Sequence, residues 1–234
     1  MRSAFLLRIV GLLCITVLLG ACGATGGSSN ATSSAQASST AKINVQLGLA
    51  YLQQGNRQRA KQKLLLALQQ GPDRSDAWYA MAYYLEKTGE PQEARTYYLR
   101  ATHLAPKDGA VQNNYGTFLC RQKEYRASIQ HFLLAVNDKN YLNTAEAYEN
   151  AGLCALLIPD KVAAEKYFSK SLLQDPRRPS ALIELADISY QQGNYQAAKD
   201  YLRRFSAVSM ATTRSLRLNA RVGEKLRGKA MVTQ

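Results

Sequence analysis

A period of about 34 residues runs through the chain from residue 41 and constrains its fold more than any other feature. Proline closes the period: Pro72 and Pro106 lie one period apart, and Pro176 follows after two further periods plus a short insertion. Such a period is typical of helical hairpins that stack on one another and share a core. Equivalent residues come into register when the units are counted from Ala41, Ser75, Gly109, Ala145 and Pro179.

The eighth position of these five units is always small, which allows the two helices of one unit to approach closely. It is occupied by Gly48, Ala82, Gly116, Gly152 and Ala186. A helix–turn–helix unit of this length and pattern is the tetratricopeptide signature. We therefore predict an all-α tetratricopeptide superhelix over residues 41–227, with five full repeats and a capping helix near Thr213–Arg227.

The beginning of the chain has a different composition. An uninterrupted apolar run at residues 9–19 follows two arginines, which is typical of a signal peptide and too short to span a bilayer. The run ends in Leu19-Gly20-Ala21-Cys22, a lipobox in which small residues precede the cysteine that carries the lipid. We predict a signal peptide over residues 1–21 and lipidation at Cys22. The alternative is an ordinary signal peptide that happens to end near a cysteine.

Residues 23–40 contain no charged, aromatic or large aliphatic side chain, so we predict that residues 22–40 are a lipidated cysteine and a flexible tether. Gly23 follows the cysteine, in place of the aspartate that retains enteric lipoproteins at the inner membrane. This favours the outer membrane, with the protein on its periplasmic face. Residues 228–234 are predicted to be a C-terminal tail.

The charge balance is strongly basic, with 30 Lys and Arg against 17 Asp and Glu. A net charge of +13 indicates attraction to anionic surfaces without choosing among them. No aromatic stacking platform accompanies the basic stripe of the last helix, so we expect no nucleic-acid partner. The stripe consists of Arg214, Arg217, Arg221 and Lys225.

No catalytic motif is visible in the sequence. The two histidines, His103 and His131, fall in predicted second helices, where packing explains them, and no zinc-hydrolase, P-loop or C-x-x-C pattern occurs. We therefore expect a protein that is not an enzyme, with no cofactor, no metal site and no small-molecule substrate.

Two cysteines remain in the mature chain, because Cys14 leaves with the signal peptide and Cys22 is acylated. Cys120 and Cys154 lie one period apart, in the first helices of repeats three and four. Neighbouring first helices pack side by side, and an oxidising periplasm then favours a disulfide. The alternative is two separately buried thiols.

Positions two, five, nine, twelve and thirteen of each repeat are predicted to line a concave face. The first two repeats place apolar and aromatic side chains there, which suits an amphipathic helix of a partner protein. They are Val45, Leu49, Leu52, Tyr79 and Tyr83. The alternative is that these residues only pack the first end of the stack. Repeat four places Glu146 and Glu149 on the same face.

Two segments, residues 113–120 (NNYGTFLC) and residues 149–154 (ENAGLC), resemble hallmark segments of the type IV pilus biogenesis and stability lipoproteins, the PilF/PilW pilotins. The lipobox, the polar tether, the repeat count and residues 216–221 (LRLNAR) are similar to that family as well. The resemblance implies a disulfide between Cys120 and Cys154. It also implies that the apolar side chains of the first two repeats form the partner groove.

The function that the resemblance implies is non-enzymatic. Proteins of that family help to deliver the pilus secretin to the outer membrane and to assemble its ring, and in some bacteria they stabilise pili. The expected partners are an outer-membrane secretin subunit and the membrane that holds the lipid anchor. The alternatives are a periplasmic scaffold that recruits cell-wall enzymes and an accessory of outer-membrane protein insertion.

Overall fold

A computed structural model describes residues 28–158 and 160–232 of the 234-residue chain. Within these residues it contains eleven α-helices and no strand, which confirms the all-α prediction. Cys22 and the predicted signal peptide lie outside the described residues. In chain order the helices are α1 (Ser28–Gln53), α2 (Arg57–Gln70), α3 (Ser75–Thr88), α4 (Pro91–Leu104), α5 (Gly109–Arg121), α6 (Tyr125–Val136), α7 (Thr144–Ala155), α8 (Lys161–Gln174), α9 (Pro179–Gln191), α10 (Tyr195–Val208) and α11 (Thr213–Val232).

The chain divides into two compact units after Pro72. The first unit contains α1 and α2, which form one helical hairpin. The hairpin closes at Gly48, where an added Cβ atom would lie 2.6 Å from the Leu64 side chain. Asn44 Nδ2 donates a hydrogen bond to Gln70 Oε1 at 2.8 Å, which ties the beginning of the packed part of α1 to the end of α2.

The second unit contains four helical hairpins, α3–α4, α5–α6, α7–α8 and α9–α10, followed by α11. We call α3, α5, α7, α9 and α11 the first helices and α4, α6, α8 and α10 the second helices. Each second helix also packs against the first helix of the next repeat, and α11 packs against α9 and α10. With the hairpin of the first unit, this confirms five full repeats and a capping helix.

A large aromatic ring opposite a glycine holds the middle hairpins together. Phe132 on α6 and Phe168 on α8 are 1% and 0% exposed. A Cβ atom at Gly116 would lie 2.9 Å from the Phe132 ring, and one at Gly152 would lie 2.7 Å from the Phe168 ring. Real Cβ atoms do not approach carbon atoms so closely, so the eighth position of these repeats requires glycine.

The beginning of α1 differs from the prediction. The helix begins at Ser28, inside the segment that the sequence predicts to be a flexible tether. Between Ser28 and Thr40 there is neither glycine nor proline to interrupt a helix that the packed part of α1 has already nucleated. Thr40 Oγ1 also donates a hydrogen bond to Gln36 O at 2.8 Å, one helical turn back. Residues 22–27 lie outside the described residues.

The end of the chain is also more helical than predicted. Helix α11 continues to Val232 and includes most of the predicted tail. No helix within residues 28–158 and 160–232 is both long and apolar enough to cross a membrane.

Candidate protein-binding site

The predicted binding surface lies on the first helices, which line the concave side of tetratricopeptide stacks. Position five of the repeat, apart from Tyr79 in repeat two, is not part of that surface. In the second unit Asn113, Glu149 and Ile183 are 7%, 6% and 8% exposed, and in the first unit Val45 is 4% exposed. Because a partner contacts only side-chain area that water reaches, the prediction that Val45 lines a groove is corrected: it belongs to the core.

The other four predicted groove residues keep accessible area. Leu49 and Leu52 lie on α1 in the first unit and are half-buried. Tyr79 and Tyr83 lie one helical turn apart on α3 in the second unit and are also half-buried. Each pair therefore offers an apolar patch on its own helix.

The tyrosine pair on α3 is aromatic and uncharged. Burial raises the pKa of Tyr79 above its ordinary value, and the nearby carboxylates of Asp76 and Asp108 raise it further. The phenol therefore remains protonated at physiological pH. The ammonium of Lys87 lies 5.2 Å from the centre of the Tyr83 ring, a cation–π distance that holds a positive charge beside the patch.

Two leucines of repeat four, one on α7 and one in the turn that follows it, provide apolar area that the sequence analysis missed. Leu153 and Leu157, at positions nine and thirteen of repeat four, are 38% and 58% exposed. Counting positions in repeat four as carefully as in repeats one and two would have identified them. The carboxylate of Glu149, which the sequence places on this face, is instead buried.

Arginines from the following repeat neutralise the carboxylates of the first helices. Arg121 at the end of α5 binds Glu86 on α3 with a nitrogen–oxygen distance of 2.6 Å. Arg178, just before α9, binds Glu149 on α7 at 2.7 Å, and this hydrogen bond raises the pKa of the guanidinium. Glu149 also accepts a hydrogen bond from the backbone N–H of Ala181 at 3.3 Å. These pairs clamp successive repeats together and remove negative charge from the face.

The last clamp joins Arg214 on α11 to Glu184 and Asp187 on α9. Beyond it lies a cavity of about 430 Å³ between α9 and α11, whose lining includes Arg217 and Arg221. The Arg221 guanidinium stacks over the Tyr190 ring at 4.4 Å from its centre. The surface formed by the first helices therefore carries positive charge at its C-terminal end, on α11.

Cys120 and Cys154 form a disulfide between α5 and α7, with their Cα atoms 6.0 Å apart. The same junction carries a hydrogen bond from Asn150 Nδ2 to Asn113 Oδ1 at 3.1 Å. The two segments on which the family resemblance was based therefore meet at the junction of repeats three and four. Their role in this structure is to join repeats.

Replacing both bridging cysteines (C120S/C154S) is expected to lower the free energy of unfolding by about 3–4 kcal/mol, because the bond closes a 34-residue loop. Denaturant unfolding of the oxidised protein and of the variant measures the difference. Wild-type protein in reductant is the matched control and should unfold with the variant. A wild-type midpoint that reductant does not shift would contradict the bond.

His131 on α6 is half-buried and makes its contacts with uncharged groups. Its Nδ1 lies 2.6 Å from Gln112 Oε1, and the Gln112 amide nitrogen donates to Pro106 O at 2.8 Å, so the histidine nitrogen is the donor of the pair. The ring meets Tyr115 edge-on at 4.7 Å between centroids. Burial lowers the pKa of His131 below its ordinary value of 6.5, because the charged form loses hydration.

Stability should consequently fall as the pH drops below about 6.5, where the unfolded chain binds a proton at this histidine that the folded chain does not. Above that pH no stability is lost through protonation of His131. A His131→Gln variant is expected to show a smaller loss of stability between pH 7 and pH 5.5 than the wild type, measured by urea unfolding. Equal losses of stability in the variant and the wild type would show that His131 does not cause the pH dependence.

Comparison with known proteins defines the class to which this fold and face belong. The family model for tetratricopeptide repeats matches residues 45–109, 79–141 and 163–207, so the chain is a tetratricopeptide repeat protein. The type IV pilus assembly protein PilF of Pseudomonas aeruginosa is 36% identical over 180 residues, which cover 77% of this chain and 71% of that protein.

Solved structures agree with this relationship. A structure of Pseudomonas aeruginosa PilF matches with a TM-score of 0.78 at 33% identity, over 83% of this chain and 88% of that one. PilW, a type IV pilus biogenesis factor, matches with a TM-score of 0.70 at 26% identity, over 80% and 86%. The chain belongs to the PilF/PilW family of type IV pilus biogenesis proteins.

Proposed function

We propose that this protein is a pilotin of the type IV pilus, anchored to the outer membrane through a lipid on Cys22. It faces the periplasm, binds an outer-membrane secretin subunit and promotes assembly of the secretin ring or stability of the pilus. The observation that carries the proposal is the 36% identity to a type IV pilus assembly protein over 77% of the chain. The lipobox that ends at Cys22 supports the anchor.

The proposed mechanism is tethering. Several acyl chains on one cysteine hold a protein at a membrane far more stably than a single chain does. A secretin subunit that binds the tethered protein is thereby confined to the membrane surface, where its effective concentration for ring assembly rises. In this mechanism the protein supplies binding energy and location, and no covalent chemistry.

The surface that we propose for the secretin segment includes Tyr79 and Tyr83 on α3. Two aromatic rings one turn apart provide the kind of apolar strip that receives the hydrophobic side of an amphipathic helix. Aromatic side chains of this type supply much of the binding energy in protein interfaces. Leu49 and Leu52 on α1 provide a second apolar pair of the same character.

The first test is the state of the secretin in outer-membrane fractions of a strain that lacks this gene, examined by electrophoresis without boiling. Loss of the heat-sensitive multimers, restored by the wild-type gene, is the expected result. Multimers that remain normal in amount and location would exclude piloting. A scaffold for cell-wall enzymes would in that case be indicated by a cell-wall defect in the same strain.

A Y79A/Y83A variant tests the surface separately from the fold. We expect it to weaken secretin binding by at least about tenfold, because two interface aromatics are removed. The matched control is Leu173→Ala on α8, which removes an apolar side chain that is 80% exposed on a second helix. Equal binding by both variants, each with wild-type thermal stability, would place the secretin elsewhere.

A further inference from the structure

One face of α11, on the side away from the cavity near Arg217, is exposed. The equivalent face is covered on the other first helices of the described residues. In the four hairpins of the second unit, positions four, seven and eight of the first helix are buried or half-buried beside the second helix. On α9 these positions are Leu182, Leu185 and Ala186, which are 0%, 1% and 0% exposed. They form the contact between α9 and α10.

The same positions on α11, one period later, are Leu216, Asn219 and Ala220, and all three are exposed. Leu216 alone is 60% exposed. Ala220 occupies the small eighth position, whose purpose in the other repeats is to let a second helix approach closely. Thus α11 carries the residue pattern of a first helix on a face that no helix of the described residues covers.

The described chain does not fold back to cover this face. The first helices α3, α5, α7 and α9 end after 12 to 14 residues, and the chain then reverses into a second helix. In contrast, α11 continues as one helix of 20 residues to Val232. Within the residues that the structure describes, α11 packs only against α9 and α10.

A recess of about 320 Å³ lies where a sixth second helix would pack, between α10 and α11. Its floor is apolar: Leu202 and Phe205 are each 5% exposed, and Leu216 forms the opposite wall. Its rim carries Lys199 and Arg203, and none of its lining residues is acidic. We call this feature the α10–α11 recess.

We propose that the α10–α11 recess binds an amphipathic helix of a partner protein, with acidic residues along the flank of that helix. The apolar floor and the small Ala220 suit the packed side of a helix, as in the other repeats. The positive rim suits the acidic flank. A second copy of this chain is a poor occupant, because its surface carries the same excess of positive charge, +13 in total. The inference does not depend on what binds Tyr79 and Tyr83.

The probe for the test is taken from the chain itself. A peptide of residues 161–174 corresponds to α8, which already packs as a second helix against α7. It is prepared with its native lysines and as the acidic variant K161E/K166E/K170E. In both forms a hydrocarbon staple joins positions 165 and 169, so that helix formation does not limit binding. Binding to the full-length protein in detergent is measured by fluorescence anisotropy.

The acidic peptide is expected to bind at least about tenfold more tightly than the native one, since attraction replaces repulsion at the rim. Ala220→Phe places a ring on the exposed face that the bound helix would cover and should abolish binding of the acidic peptide. K199E/R203E should reverse the preference between the two peptides. Leu216→Asp provides a second blocking variant that does not add bulk.

Three results would overturn the proposal: no binding of either peptide, binding that neither blocking variant weakens, or equal affinity for the acidic and native peptides. Self-association of the protein that Ala220→Phe abolishes would identify a second copy as the occupant and would also overturn it. Thermal unfolding of each variant, compared with the wild type, shows that the fold is retained.

Discussion

Exchange of residues 1–22 for a signal peptide that is cleaved without lipidation is expected to move the protein from the membrane fraction to the soluble periplasm. The proposed anchor consists of the acyl chains on Cys22, and each buried methylene contributes about 0.8 kcal/mol to membrane binding. Removal of the whole anchor should therefore lower the membrane-bound fraction by several orders of magnitude. Fractionation and immunoblotting measure the distribution.

The same exchange is expected to reduce secretin multimers strongly even though the folded part is unchanged. Thermal unfolding of the soluble form should match that of the lipidated protein, which separates loss of location from loss of fold. The exchange is preferable to a point substitution at Cys22, because an uncleaved signal peptide can itself hold a chain at a membrane. Persistence of the exchanged protein in the outer-membrane fraction would refute the lipid anchor.

Phe168→Ala is expected to lower the free energy of unfolding by about 3–5 kcal/mol, the range for removal of a fully buried phenylalanine ring. The ring is 0% exposed and lies against Gly152, so its loss leaves a cavity inside the α7–α8 hairpin. Denaturant unfolding followed by circular dichroism measures the change. Leu173→Ala on the same helix is the control and should change stability by less than about 0.5 kcal/mol, because that side chain is 80% exposed.

A double-mutant cycle sharpens this prediction. Gly152→Ala alone should destabilise the protein, because its Cβ atom would lie 2.7–2.9 Å from carbons of the Phe168 ring. In the Phe168→Ala background the same methyl group has room, and its cost should largely disappear. The two substitutions are therefore expected to be strongly non-additive. Additive losses would show that the ring and the glycine do not share the contact described.

The repeat architecture was predictable because one register recurs five times. Each repeat places a small residue at its eighth position, where the two helices of the hairpin must approach closely. The beginning of α1 was not predictable from the sequence. Residues 28–40 lack the large apolar residues of a core, but they also lack the glycine and proline that end helices. The composition of this segment predicts a tether that contributes no core side chain. It does not identify the backbone conformation, which depends on the helix that follows.

The binding face was predictable only in part. The register predicted Tyr79 and Tyr83 on this face, and both keep accessible area, but Val45, at the position equivalent to Tyr79, is buried. In repeat three the equivalent Asn113 is covered by repeat four, as its hydrogen bond with Asn150 illustrates. The arginine clamps have no local sequence signal, because Arg178 lies 29 residues from Glu149 and comes from a loop. Such contacts depend on the geometry of the stack, which a single repeat does not contain.

The clamps have a consequence for a chain that leaves a translocation channel with its N-terminal end first. In the three clamps on the first helices the carboxylate precedes its arginine, as Glu86 precedes Arg121 and Glu184 precedes Arg214. The ion pair between Arg95 and Glu124 has the opposite order. Every emerging repeat that carries one of the three clamp carboxylates therefore displays it unneutralised until the next repeat arrives and closes over it. These three clamps therefore close in one direction along the chain, and a chain that ends just before α11 leaves Glu184 without Arg214 at its last completed repeat.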